Sequence, residues 1–476
     1  MENVKTKAKT WEIALFALNG ISSNTAMFMI GYYMFYTQNI LGLSAVVVGL
    51  IATLMRVFDG VTDPPIGVLI DRTDSKFGRF RPYMLIGCVI VALSIIAIFN
   101  APTNLGVMGG YIYTTLFYAV YVIGYTFQTT CTRAAQAVLT KDPKQRPLFA
   151  VFNGGFNAIL GAAFPLILMT IMAPRYEGKL LNPKLWSHMS FICAGMMFLF
   201  SILAIIGISG RDKPENYKSS AKTQKVTFKD MWHVISKNRA LQMLVVAAST
   251  DKLATMLMGG MKIYLFSNCI LNNAMQGTFS SVSVWPVLII SMGGIFLARK
   301  FGLKKPFLAG TWGSLICLAA MFVLGAGPTS YIPFLVIWIV QSSMAGITNN
   351  ILNPMIADCA DYEEYCTGKF VPSVVGTVFT FVDKIISSLS TTVIGFALAF
   401  AGVSKGKIPV DTFISDKFYW TVLFCICIVP ILGHIASIIS MKFYPLTTEK
   451  MVEIQSELVV RRKKALEEAE ETAKQA

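Results

Sequence analysis

The chain has 476 residues, 54% hydrophobic and only 14% charged, with a mean hydropathy of +0.59; a soluble domain carries about 25% charged residues. That composition excludes an ordinary soluble enzyme and a disordered binding segment, and it points to a chain that lives in lipid. The formal net charge of +15 is compatible with a nucleic-acid ligand, but its placement argues against one: the basic residues gather in short loops between apolar runs.

Twelve runs are long enough to cross a hydrocarbon core of about 30 Å. In chain order they are 11–38, 44–70, 83–101, 108–134, 149–173, 189–209, 240–268, 276–298, 306–325, 330–356, 372–400 and 416–441. The first has no small-residue cleavage site behind it and reads as an uncleaved helix. Arg72, Lys76, Arg79 and Arg81 lie between spans two and three, Lys141, Lys144 and Arg146 after span four, and Arg299, Lys300, Lys304 and Lys305 after span eight. The loops around Asn39, Asn104, Asn272 and Gly327 carry no Lys or Arg. By the positive-inside rule both termini face the cytoplasm of a multi-pass protein in the cell membrane.

Lys76-Phe-Gly-Arg-Phe-Arg-Pro82, between spans two and three, recurs six spans later as Lys300-Phe-Gly-Leu-Lys-Lys-Pro306. The repeat divides the chain into an N-terminal six-helix bundle (1–209), a basic linker (210–239), a C-terminal six-helix bundle (240–443) and a charged tail (444–476). Within the linker, Val226 to Ile235 has the pattern of a short amphipathic surface helix. The tail, rich in Glu, Lys, Arg and Ala, reads as a solvated helix or frayed end. Nine cysteines are scattered without a CxxC, which argues against metal or disulfide chemistry. Cys359 and Cys366 fall in a loop on the cytoplasmic side, as free thiols. The three histidines share no ligand spacing, and His434 reads as a satisfied packing residue rather than a proton relay.

The most informative segment is Arg56-Val-Phe-Asp59-Gly-Val-Thr-Asp63-Pro64-Pro65 in span two. Helical spacing puts Arg56, Asp59 and Asp63 on one stripe. A charge at bilayer depth costs roughly 2.5–3.5 kcal/mol on insertion scales, so it marks an ion or solute path. Pro64 and Pro65 lack N–H groups and leave the carbonyls of Gly60 and Val61 without helical donors. Carboxylates and freed carbonyls are what a hard cation needs. The alternative is that Arg56 simply neutralises Asp59.

Phe58-Asp59-Gly-Val-Thr-Asp63-Pro64, followed by Asp71-Arg72-Thr-Asp-Ser-Lys76-Phe-Gly78-Arg-Phe-Arg-Pro82, resembles the signature of the glycoside–pentoside–hexuronide:cation symporters, the melibiose-permease-like branch of the major facilitator superfamily. Ala357-Asp358-Cys-Ala-Asp361-Tyr362 is similar to the family's loop between helices ten and eleven, and Lys384 lies where the family carries a helix-eleven lysine. The resemblance covers nearly the whole chain. It implies an all-α membrane protein of twelve helices in two pseudo-symmetric bundles, with solute uptake by alternating access coupled to Na⁺ or H⁺. Asp59 and Asp63 would then form the cation site, holding Na⁺ if coupling is to sodium. Asp71, Arg72, Arg79, Arg81, Asp358 and Asp361 would form gate contacts when the cytoplasmic side closes, with Glu363 and Glu364 as further acidic partners; an ordinary solvated loop is the alternative.

The family pattern breaks at the solute site. The melibiose permease has carboxylates in helices one and four and an arginine in helix five; here the matching positions are the neutral Gly20-Ile-Ser22-Ser23-Asn24, Thr129 and Asn153. Arg133, Lys252, Lys262 and Lys384 are cationic instead. The solute-binding candidates are therefore Asn24, Thr129, Arg133, Asn153, Lys252, Thr380 and Lys384, and the excess of cations favours an anionic solute such as a uronide. Asp251 and Asp383 could equally neutralise their lysine neighbours, and Lys262 could snorkel to the interface. Three readings follow: a cation-coupled glycoside or uronide symporter, a transporter of the same fold for a non-sugar organic anion or amphipathic small molecule, and a membrane-embedded enzyme or receptor. No nucleophile–base pair, HExxH or Gly-rich phosphate loop supports the enzyme. No tightly bound cofactor and no nucleic-acid partner are expected; the partners are the solute, the coupling cation and the bilayer, with the protein a monomer.

Overall fold

The computed structural model describes residues 7–73, 75–140, 145–213, 234–368, 371–403 and 406–475. Twelve helices are long and apolar enough to cross a membrane. They are α1 (Thr10–Asn39), α2 (Ala45–Ile70), α3 (Arg81–Phe99), α4 (Gly106–Ala134), α5 (Leu148–Arg175), α6 (Pro183–Ile208), α7 (Arg239–Cys269), α8 (Ala274–Phe301), α9 (Lys304–Leu324), α10 (Tyr331–Thr367), α11 (Val374–Phe400) and α12 (Asp416–Lys442). A further helix, α13 (Thr448–Gln475), follows. Local chemistry sets many of the ends. Prolines open α3 and α6, where the missing N–H costs nothing. The Asn238 side chain caps the start of α7.

Both copies of the repeated loop make the same turn, with Gly78 at φ 93° and Gly302 at φ 78°. Only glycine enters that region without strain. The first turn is braced by Asp212, just after α6, whose carboxylate accepts from the backbone N–H groups of Arg79, Phe80 and Arg81. The second turn is met by Thr448, just after α12.

Helices α1 to α6 pack mainly on one another, as do α7 to α12, and two seams join the sets: α2 against α11, and α5 against α8. Glycines let the backbones approach. A Cβ on Gly395 would stand 2.6 Å from the Ala45 carbonyl oxygen, and one on Gly277 would stand 2.6 Å from that of Pro165. Hydrogen bonds lock the same end. Gln38 donates to the Val403 carbonyl at 2.6 Å, Ile408 N–H to Asn39 Oδ1 at 2.6 Å, Thr53 to the Ser388 carbonyl at 2.9 Å, and Ser281 to the Ala162 carbonyl at 2.7 Å. Lys179 pairs with Asp411 across the rim. These polar contacts between the two sets run from this end to mid-depth, where Lys384 meets Asp59 and Asp63. The molecule is closed at the Asn39–Ile408 end and parted toward the Arg72–Arg81 end.

Two expectations change. α10 does not stop near residue 356 but continues to Thr367, so Asp358, Cys359, Asp361 and Cys366 lie on a helix rather than in a loop. Packing carries it past the apolar run: Met355, Cys359 and Ala360 are buried, and Glu363 accepts from Asn238 at 2.9 Å. The tail is also more than a solvated helix. Ile454 and Leu458 of α13 are fully buried, Gln455 donates to Asp361 at 2.6 Å, and Arg461 donates to the Tyr365 carbonyl at 2.9 Å. α13 thus docks on the extension of α10. Lys141, Lys144 and most of the linker, including nearly all of 226–235, lie outside the described residues.

Candidate functional site

Asp59 lies fourteen residues from the start of α2, about 21 Å along it and so near mid-depth. Its side chain is buried, and Asp63 follows one turn later on the same face. Across the seam, Lys384 of α11 sets its ammonium between them, 3.0 Å from Asp59 Oδ2 and 2.8 Å from Asp63 Oδ2. Thr126 of α4 donates to Asp59 Oδ1 at 3.2 Å, and the hydroxyls of Thr62 and Thr126 are 3.3 Å apart. Asp63 Oδ1 is buried with no hydrogen-bond partner. Arg56 is within electrostatic range of Asp59 and of Tyr118, Tyr121 and Tyr125, while the cation ion-paired with Asp59 is Lys384, which donates its hydrogen bond to Asp63. The site therefore offers two carboxylates and two hydroxyls. One ammonium, supplied by the other set of helices, already sits among them. Thr62 and Thr126 were missed from sequence; Thr62 stands inside the acidic motif and was the legible one of the two.

The other cations have partners as well. Lys252 of α7 pairs with Asp383 of α11. Asp251, its sequence neighbour, instead accepts from His434 Nδ1 at 2.7 Å and from Ser437 at 3.1 Å. Adjacent helical residues point about 100° apart and cannot face each other. So Asp251 and Asp383 do not neutralise their own neighbours, and His434 is buried with its Nδ1 hydrogen-bonded to Asp251. Lys262 donates to Ser280 at 2.6 Å and lies over the rings of Phe279 (4.8 Å) and Trp338 (5.8 Å), which gives it an aromatic setting.

Of the neutral candidates, Asn24, Thr129 and Asn153 lie on α1, α4 and α5, and Thr380 lies on α11. Asn24 donates to Asn157 Oδ1 at 2.6 Å, Asn157 to the Asn153 carbonyl at 2.8 Å, and Asn19 to Thr132 at 2.7 Å. Thr129 and Thr380 turn back on their own helices, donating to the carbonyls of Tyr125 and Gly376. Arg133 is exposed in the last turn of α4, about 10 Å along the helix from Thr126 toward the parted end. It borders a recess of about 220 Å³ with Gln136, Thr140, Gln145 and Phe149. It has no carboxylate partner among the described residues.

The contacts described for the gate residues stay within their own sets of helices. Arg81 pairs with Asp212 at 3.4 Å, within its own six helices. Arg79 donates to the Thr73 carbonyl at 3.3 Å, Asp361 accepts from Gln455, and Arg72 is exposed. Asp358 is part-buried on α10, and the Asp71 side chain lies outside the described residues. None of these contacts joins the two sets at the Arg72–Arg81 end.

Twelve spanning helices joined at two seams, with a charged cluster buried between them, define a membrane transporter of the major facilitator fold. Residues 16–448 match the MFS/sugar transport protein family, and the chain belongs to it. Among its relatives, the putative glycoside/cation symporter YagG of Escherichia coli K12 is 24% identical, over 93% of this chain and 92% of that one. The glucuronide carrier protein homolog of the same organism is 20% identical over 92% of each chain. The putative 2,3-dihydroxypropane-1-sulfonate exporter of E. coli K12 is 24% identical over 90% and 91%. The fold is also that of the nucleoside transporter NupG, with a TM-score of 0.60 at 11% identity over 92% of this chain and 99% of that one. These relatives are transporters, and the chain is a carrier, not an enzyme.

Proposed function

We propose that this carrier couples uptake of a glycoside or uronide to a monovalent cation, Na⁺ or H⁺, by alternating access, with both termini in the cytoplasm of the cell membrane. The observation that carries this reading is the Lys384 ammonium held between Asp59 and Asp63 across the α2–α11 seam. A coupling cation has the same charge as that ammonium and needs the same oxygens, so the two compete. With Lys384 seated, the outer end is closed and the solute cavity faces the cytoplasm. Binding of the coupling cation at Asp59 and Asp63 releases Lys384, frees α11 from α2 at mid-depth and lets the outer end open. Ion binding and solute access are thereby linked through one lysine. The site has fewer charged oxygens than that of the melibiose permease, with Thr129 in place of a carboxylate, which leaves Na⁺ and H⁺ to be separated by experiment.

A second reading, a non-sugar organic anion as solute, is favoured by Arg133, which lacks a carboxylate partner among the described residues. Two relatives are named for anions, a glucuronide and a sulfonate. Thermal-shift screening of purified protein against sugars, uronides and organic acids, with and without Na⁺, separates these readings. Solute-dependent stabilisation that grows with Na⁺ supports sodium symport; stabilisation by sulfonates and carboxylates but no glycoside selects the second reading. Stabilisation by none of them, with no Na⁺ effect, counts against both.

A further inference from the structure

Beyond the α2 cluster, a second ionisable group is buried in the other set of helices. Asp251 lies twelve residues into α7, about 18 Å from its start, and His434 lies on α12. His434 is 2% exposed and Asp251 9%. The carboxylate accepts from His434 Nδ1 at 2.7 Å, Ser437 Oγ at 3.1 Å and Thr311 Oγ1 of α9 at 3.5 Å. Three donors thus converge on this one carboxylate. With Nδ1 donating, the free lone pair of the imidazole is on Nε2, which is buried with no hydrogen-bond partner.

The surrounding charges leave the group short of one positive charge. α7 and α9 pack against α12. From α7, Asp251 faces His434, while Lys252 is turned to Asp383. On α9 the charged residues are Lys304 and Lys305, about two turns from Thr311, and Lys304 donates to the Tyr444 carbonyl at 2.7 Å. On α12 itself the nearest charged residue is Lys442, two turns on. A neutral His434 thus leaves one uncompensated carboxylate at mid-depth, a costly placement in a membrane span. One proton on Nε2 makes an imidazolium–carboxylate pair and removes that charge.

We propose that His434 and Asp251 form a second ion site of the carrier, which takes a proton, and that this proton biases alternation. The proton adds to the Nε2 lone pair; Nδ1–H stays on Asp251, and no other bond changes. The site communicates with the seam along a row of charges: Asp251 precedes Lys252, Lys252 holds Asp383, and Asp383 precedes Lys384, which bridges Asp59 and Asp63. Unprotonated, the extra negative charge in the C-terminal helices competes with Asp59 and Asp63 for Lys384. Protonation removes that competition and favours the Lys384-bridged state, closed at the Asn39–Ile408 end. The inference rests on the transporter reading, but not on Asp59 and Asp63 being the cation site.

Two measurements on purified full-length protein without solute test it. Nitrogen NMR of ¹⁵N-histidine-labelled His188→Gln/His233→Gln protein observes His434 alone. On acidification the imidazole should pass from singly to doubly protonated; a ring that keeps one protonation state across the whole pH range in which the protein stays folded overturns the site. Nitroxides on the exposed native Cys366 and on Lys76→Cys report the gap between the two sets at the parted end. Acidification should shift that distance to longer values in the parent protein and in Asp59→Asn, and the shift should vanish in His434→Gln and Asp251→Asn. A pH response kept in both His434→Gln and Asp251→Asn but lost in Asp59→Asn places the proton in the α2 cluster and refutes the proposal. That outcome leaves the coupling role of Asp59 standing, so the two readings fail separately.

Discussion

Replacing Lys384 by glutamine removes the ammonium that ties α11 to α2 and leaves Asp59 and Asp63 facing each other. Lys384 makes two close contacts, 3.0 and 2.8 Å, with its side chain only 19% exposed. Hydrogen bonds to charged groups contribute about 1.5–3 kcal/mol net. Taking about 2 kcal/mol as the bias that Lys384 gives to the closed outer end, its loss shifts the equilibrium roughly 30-fold. A cysteine at Ala45, buried at the seam against Gly395, reports that opening in a Cys366→Ser background. When opening is fast relative to modification, the maleimide rate follows the open fraction and rises about 30-fold in Lys384→Gln. Lys384→Arg keeps the charge and should stay within several-fold of the parent. Equal rates in the parent and Lys384→Gln would refute the bridging role, and an equal rise in Lys384→Arg would reduce it to packing.

Asp59→Asn should abolish gradient-driven accumulation while the protein still folds and exchanges solute, measured as uptake against counterflow in proteoliposomes; accumulation at parental rates would sink the coupling assignment. An impermeant maleimide on intact cells should reach a cysteine at Asn104 and miss one at Phe77, both exposed loop positions. Leu458→Ala should cost about 2–3 kcal/mol of local stability, seen as faster hydrogen exchange throughout α13 with the melting of the spanning helices unchanged. Arg133→Gln should abolish transport of an acidic solute and Arg133→Lys should weaken it, because a lysine lacks the planar fork that binds a carboxylate through two bonds. Normal uptake by Arg133→Gln removes the arginine from solute recognition.

The spans were legible because lipid demands about twenty apolar residues in a row, whatever they later touch. That signal ends where helix and membrane part company. α10 runs eleven residues past its apolar stretch because Cys359, Ala360 and Glu363 pack on α7 and on the tail, contacts set by tertiary structure. The same limit applied to α13, whose charge pattern reads as solvated until Ile454 and Leu458 are seen to share one buried face. Asp59, Asp63 and Lys384 each stood out as charges in apolar sequence, but no spacing relates α2 to α11, and their convergence became visible only in the fold. Thr126 gave no signal, since a lone threonine in a spanning helix commonly bonds its own backbone, as this one also does to Val122.

Charge counting across the seam bears on the solute. Four carboxylates at Asp59, Asp63, Asp251 and Asp383 face three strong cations at Arg56, Lys252 and Lys384, and two of those cations are held by carboxylates in this state. Their positive charge is therefore spent on the protein's own acids, and the cationic excess read from sequence shrinks to Arg133 near the parted end and Lys262 in its aromatic setting. An anionic solute would meet Arg133 first, then the asparagines of α1 and α5, which donate and accept without charge. It would reach the lysines only if an ion took their place on the carboxylates. On this arithmetic, the proposed cation binding at Asp59 and Asp63 would do more than supply a driving force: it would liberate Lys384 to face the solute. Affinity for an acid should then rise with the coupling ion, and affinity for its neutral analogue should not.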